Sequence, residues 1–179
     1  MPKLLTREQA RGQVLDGRFL DDWQMVQFVR ERGRVFATPP YSRPRMWLAR
    51  VLTNIVLTHP STLYVYDMFE SSEDLPDLYE RVRRSEGLNG SISEKPGDAV
   101  EIEEFEYLEC LVACGLWFEC GFVLSNKDLM VLVSDDEWFA VASTNRARTD
   151  EVATCIRDET PLDEISWRDL SELFGEEDD

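Results

Sequence analysis

The chain has one histidine, three lysines and no long apolar run. Each shortage narrows the reading. A catalytic base built on imidazole would have to use His59, which stands directly before Pro60 at an expected helix end. That position suits a cap or a surface residue. A membrane span needs about 18 consecutive apolar residues, and the longest candidate, Leu108–Leu124, is interrupted by Glu109 and Glu119. The opening MPKLLTREQARGQ lacks the apolar core of a secretion signal, so the chain is expected to be soluble and cytoplasmic. Cys110, Cys114 and Cys120 follow C-x3-C-x5-C, with Cys155 far downstream. This is not a zinc-knuckle spacing, and reduced, buried thiols are expected. The sequence contains no G-x-S-x-G elbow, no Walker loop, no dinucleotide fingerprint and no H-E-x-x-H. No catalytic residue, metal or cofactor is therefore assigned, and the chain is expected not to be an enzyme.

Negative charge is abundant. The 179 residues carry a net charge of −17, and it is unevenly spread. Residues 1–60 hold ten Lys/Arg against five Asp/Glu, whereas residues 61–179 hold nine against thirty-one. Such a surface repels nucleic acid and steers toward cationic partners. Solubility, or adaptation to a salty cytoplasm, is the plain alternative. The preference for arginine fits a GC-rich genome equally well. The arginines at 30, 32, 34, 43, 45 and 50 are expected to pair with the acidic majority inside the molecule, not to bind DNA.

Helices are expected from Thr6 to about Gly17, from Asp21 to Arg32 and from Arg45 to Leu57, with the prolines of ATPPYSRPR between the last two. Thr62–Phe69 is rich in β-branched and aromatic residues and reads as a strand. A helix over Leu75–Ser85 and a loop over residues 86–98 follow. Glu101–Cys114 is ambiguous between helix and strand; the stripe Ile102, Phe105, Leu108, Val112, Leu116 and its five glutamates suit a helix better, with Gly115 as its stop. Trp117–Leu124, Leu129–Ser134 and Glu137–Ser143 form an antiparallel meander. In the third strand, Trp138, Ala140 and Ala142 face one way, and Phe139 and Val141 the other. Both faces are then apolar, which requires helices on both sides or a partner on one. A helix within Arg148–Ile156 and another starting at Ser166 complete the pattern. The expected fold is a single α+β domain over residues 1–179. It has a mainly helical N-terminal half, a small antiparallel meander packed by helices, and an acidic tail over residues 175–179.

Two acidic clusters compete for a role. Asp135-Asp136-Glu137 is a hairpin turn whose carboxylates also discourage edge pairing. The glutamates at 101, 103, 104, 106 and 109 are first of all a solvated helix face. Either could instead meet a basic protein, since charge steering can speed association by roughly 10- to 1,000-fold. Tyr107 and Trp138 would supply aromatic anchors.

The segments SNKDLMVLVSDDEWFAVAS and ISWRDLSELF resemble bacterial polymorphic-toxin immunity proteins, many of which are small α+β proteins with an acidic face. That resemblance implies an inhibitor blocking a cognate basic toxin, a nuclease or nucleic-acid-modifying enzyme, with no nucleic acid or membrane as partner. The candidate contact residues are Glu103, Glu106, Tyr107, Asp135, Asp136, Glu137 and Trp138. The alternatives are a structural or adaptor subunit and an enzyme with an unrecognised carboxylate site.

Overall fold

Strands of five and six residues in which every side chain is buried need cover on both faces. LMVLV and WFAVAS are such strands, and the fold is arranged around them. The structure, a computed structural model, describes residues 3–5, 15, 22–38, 45–56, 61–67, 99–117, 121–134 and 138–174. In chain order the elements are β1 (Lys3–Leu5), α1 (Asp22–Arg32), β2 (Arg34–Ala37), α2 (Arg45–Val56), β3 (Ser61–Asp67), β4 (Ala99–Ile102), α3 (Phe105–Trp117), β5 (Gly121–Ser125), β6 (Leu129–Val133), β7 (Trp138–Ser143), α4 (Arg146–Glu159), β8 (Glu164–Ile165) and α5 (Trp167–Phe174).

All eight strands join one sheet in the order β1-β4-β3-β5-β6-β7-β2-β8. Every neighbouring pair is antiparallel. The pleat sends alternate side chains to opposite faces. Phe122, Leu124, Val131, Val133, Phe139 and Val141 join one core with Leu48 and Leu52 of α2, Leu108 and Val112 of α3, and Val152 and Ile156 of α4. Val123, Met130, Leu132, Trp138, Ala140 and Ala142 join a second with Met25, Phe28 and Val29 of α1 and Leu170 of α5. The alternation expected along β7 is present, and helices cover both faces. Phe36 and Phe139 are register partners whose rings stack at 5.4 Å. Both are fully buried, and such burial contributes about 1.5–3 kcal/mol per large side chain.

Three expectations need correction. The sheet is not a small meander: four of its strands precede residue 103, so the described part of the N-terminal half supplies strands to the sheet as well as two helices. RVFA and AVEI are too short to display a period, and pairing with β7 and β3 makes them strands. Glu101 and Ile102 belong to β4, opposite Lys3 and Ser61, and the helix starts only at Phe105. Gly115 does not stop that helix, which runs on to Trp117. A Cβ on Gly115 would lie 3.0 Å from the Phe122 ring, so glycine is there to admit a close approach.

The expected helices over 6–17 and 75–85, the loop over 86–98, His59 and the acidic tail lie outside the described residues, Leu15 excepted. No helix among the described residues is long and apolar enough to cross a membrane. Among them, no group of three His, Cys, Asp or Glu is placed to hold a metal ion.

Candidate functional site

The glutamates around the start of α3 occupy a place that physics favours. The first turn of a helix leaves unpaired N–H groups and a partial positive charge, so carboxylates there are stabilised. Glu103 and Glu104 fill the link between β4 and α3, Glu106 lies in the first turn, and all three are exposed. The Glu104 carbonyl accepts from the Leu108 amide at 3.2 Å and starts the helical ladder.

Glu109 behaves differently. It lies one turn beyond Phe105 and beside Leu108, on the packed side of α3. Its side chain is 8% exposed and meets Arg50 of α2 at 3.0 Å. Two guanidinium nitrogens reach its two oxygens, so the bridge is bidentate. This glutamate ties α2 to α3 and is not part of a solvated face.

Other arginines are also engaged internally. Arg34 grips Asp150 through Nε and Nη2 at 2.9 and 2.6 Å, and lies 3.8 Å from Glu164. Arg157 reaches the same Glu164. Arg45 donates to the carbonyl of Leu116, a cation at the C-terminal end of α3. The carboxyls with displaced titration follow this pattern. Arg34 holds Asp150 below the ordinary carboxylate range, chiefly by its hydrogen bond. Asp169 is held down by Ser166, whose amide and hydroxyl complete a reciprocal cap at the start of α5. Downward displacement suits ion pairs and caps, whereas a general acid needs the opposite.

Among the described residues, Glu106 and Trp138 of the expected contact set belong to elements on opposite faces of the sheet. Glu106 is carried by α3, which packs on one face of the sheet. Trp138 is buried at 9% exposure against the other face, edge-on to Trp167 at 5.5 Å. Its ring is committed to the contact between sheet and α5. Tyr107 lies within α3, but its side chain is outside the described part. Asp135, Asp136 and Glu137 also lie outside it.

A feature that the sequence reading missed lies between α2 and α4. The two helices flank a groove of about 360 Å³, at the lower end of the roughly 300–1,000 Å³ typical of ligand cavities. Residues four apart stack along one side of a helix. On α2 the row is Trp47, Val51 and Ile55, all half-buried. On α4, Val152 and Ile156 make the floor, and the next row, Glu151, Cys155 and Glu159, makes the rim. Both rows were visible as i, i+4, i+8 patterns. Their proximity was not, because it depends on where two helices a hundred residues apart dock on the sheet.

Cys155 is exposed and unpaired by disulfide, not buried as expected; Cys110 is half-buried. Partial burial pushes the Cys155 thiol up, and Glu159, Asp158 and Glu151 push it the same way. The thiol therefore stays protonated at neutral pH and is a poor nucleophile. Carbamidomethylation of the Cys155 peptide, followed by mass spectrometry, is expected to be slower at pH 7.5 than that of an ordinary exposed thiol. Glu159→Gln removes one anion and leaves only a neutral acceptor for the thiol, and should speed it. Equal rates in both proteins would show that Glu159 does not govern this thiol.

No family model matches the chain, and no curated protein or solved structure matches it.

Proposed function

We propose that the protein is an acidic binding module that occludes a cationic surface of another protein, in the specific reading an immunity protein that blocks the active site of a basic toxin. One observation carries the reading. The half-buried arginine Arg34 is neutralised by Asp150 and Glu164, and Arg50 is paired with the buried Glu109. Glu103 and Glu106 are exposed on ordered backbone and, among the described residues, form no ion pair. Their backbone is already held by β4 and α3, so a partner has to order only the side chains.

The action is steric and electrostatic. The carboxylates stand where a nucleic-acid-processing enzyme expects substrate phosphate, and exclusion of water strengthens each pair. The chain makes and breaks no bond.

Mixing the protein with the product of the neighbouring gene tests this reading. A stable complex and protection of cells from that product are expected. Double charge reversal, Glu103→Lys with Glu106→Lys, should slow association at least about tenfold at low salt. The difference should shrink toward 1 M salt, where the screening length falls to roughly 3 Å. Failure to form any complex, or association unchanged by the reversal at every ionic strength, would remove the reading.

A further inference from the structure

The groove between α2 and α4 has two unlike walls. One is the apolar row Trp47, Val51, Ile55, and the other is the acidic rim of Glu151 and Glu159. Val152 and Ile156 close the floor as part of the core beneath. An aliphatic ligand would satisfy only the first wall, and a small hydrophilic cation only the second.

Lysine and arginine side chains satisfy both. Their methylene stems lie along apolar surface while the charged head seeks an anion. The two ends of the rim differ. Glu151 is bridged by Arg148 at 2.8 Å. Glu159 lies beside the neutral Cys155 thiol and, among the described residues, forms no ion pair. The unspent anion therefore lies at the Glu159 end, within a groove of about 360 Å³ that has room for more than one side chain.

We infer that this groove receives a segment of the protein partner that presents a lysine or arginine next to an aliphatic side chain, with the aliphatic group on the Trp47–Val51–Ile55 row and the cation at Glu159. The inference rests on the reading of the protein as a binder of a cationic partner. It adds a second contact surface, on α2 and α4, to the carboxylates at the start of α3. The groove selects for combined apolar and basic character, whereas the α3 carboxylates select for positive charge alone.

The test uses the full chain with indole-¹⁵N tryptophan, the Trp47 signal being assigned by its loss in Trp47→Phe. Three synthetic peptides serve as probes: an amphipathic leucine–lysine helix, the same helix with glutamate for lysine, and a lysine–serine peptide without leucine. The leucine–lysine peptide should shift the Trp47 signal saturably, and the other two should not. Glu159→Gln should weaken that binding roughly two- to fivefold, the worth of one part-exposed pair, and Glu159→Lys about tenfold. Val51→Asp should abolish it while thermal unfolding shows the fold intact. An unmoved Trp47 signal, with peptide binding that instead disappears in the Glu103→Lys/Glu106→Lys protein, would overturn the groove and leave the cationic reading standing. Equal shifts from the glutamate or the leucine-free peptide would also overturn it. No binding of either lysine peptide anywhere on the protein would remove both.

Discussion

Asn126→Ala is expected to lower the melting temperature by about 8–16 °C, the largest effect of any polar substitution considered. Asn126 is buried at the end of β5. Its amide nitrogen donates to the carbonyl of Val56, the last residue of α2, at 2.7 Å. Its side-chain oxygen accepts from the amides of Asp128 and Leu129, each at 2.8 Å. One side chain thus closes the β5–β6 turn and caps a helix on the covering layer. The final carbonyls of a helix have no partner within it, and among the described residues the other side chain that reaches Val56 is the Ser61 hydroxyl, at a long 3.4 Å. Alanine would strand the buried Leu129 amide and weaken the satisfaction of the Val56 carbonyl. Each such loss costs about 1–3 kcal/mol, so the total is about 4 kcal/mol. In a chain of this size, 1 kcal/mol shifts the melting temperature by roughly 2–4 °C.

Asn126→Asp separates hydrogen bonding from volume. It keeps the acceptor oxygen but turns a carboxylate toward the Val56 carbonyl. Burial against a carbonyl raises the folded-state pKa of that acid. Its protonated form can donate, so stability should increase as the pH is lowered through the carboxyl range and be lost as it rises. Calorimetry at several pH values checks both variants. An alanine variant that melts with the wild type would show that the turn and the α2 end do not depend on this side chain.

Gly33→Ala is expected to cost roughly 3 kcal/mol, at the upper end of what overpacking a closed site usually brings, or about 6–12 °C. Gly33 is the single residue between α1 and β2. Its amide donates to the Val29 carbonyl at 2.6 Å. A Cβ there would sit 2.5 Å from that carbonyl oxygen, 2.9 Å from a Val29 methyl and 3.2 Å from the Val141 carbonyl. Two of these atoms are backbone and cannot turn aside. Relief requires α1 to lift from the sheet, taking Met25, Phe28 and Val29 with it. Gly115→Ala is the control. Its nearest atoms, at 3.0 Å, belong to the Phe122 ring, which can shift slightly, so the loss should be smaller. Equal melting temperatures for wild type and Gly33→Ala would show that the close approach of α1 to β2 does not exist in solution.

The same residues show what could be read in advance. SNKD between two apolar runs announces a hairpin, and β5 and β6 pair around it. Strict alternation along β7 assigns its side chains to two cores, as found. RVFA gives no such signal. Its identity as a strand resides in residues 138–141, its register partners, and composition says nothing about so distant a neighbour. Counting charge along the chain groups Glu109 with the exposed glutamates. Its spacing from Phe105 and Val112 puts it on the packed stripe, where Arg50 compensates the carboxylate. Glu103 and Glu106 were legible as surface carboxylates. The groove was not, because it depends on where α2 and α4 dock on the sheet.

The strand order has a consequence for biosynthesis. β2 is placed between β7 and β8, so both of its edges must wait for partners about 100 residues and more downstream. At roughly 5–20 residues per second on the ribosome, RVFA emerges about 5–20 seconds before WFAVAS. During that interval a nascent apolar edge is open to any other extended chain, and Arg34 at its start is the charge beside it.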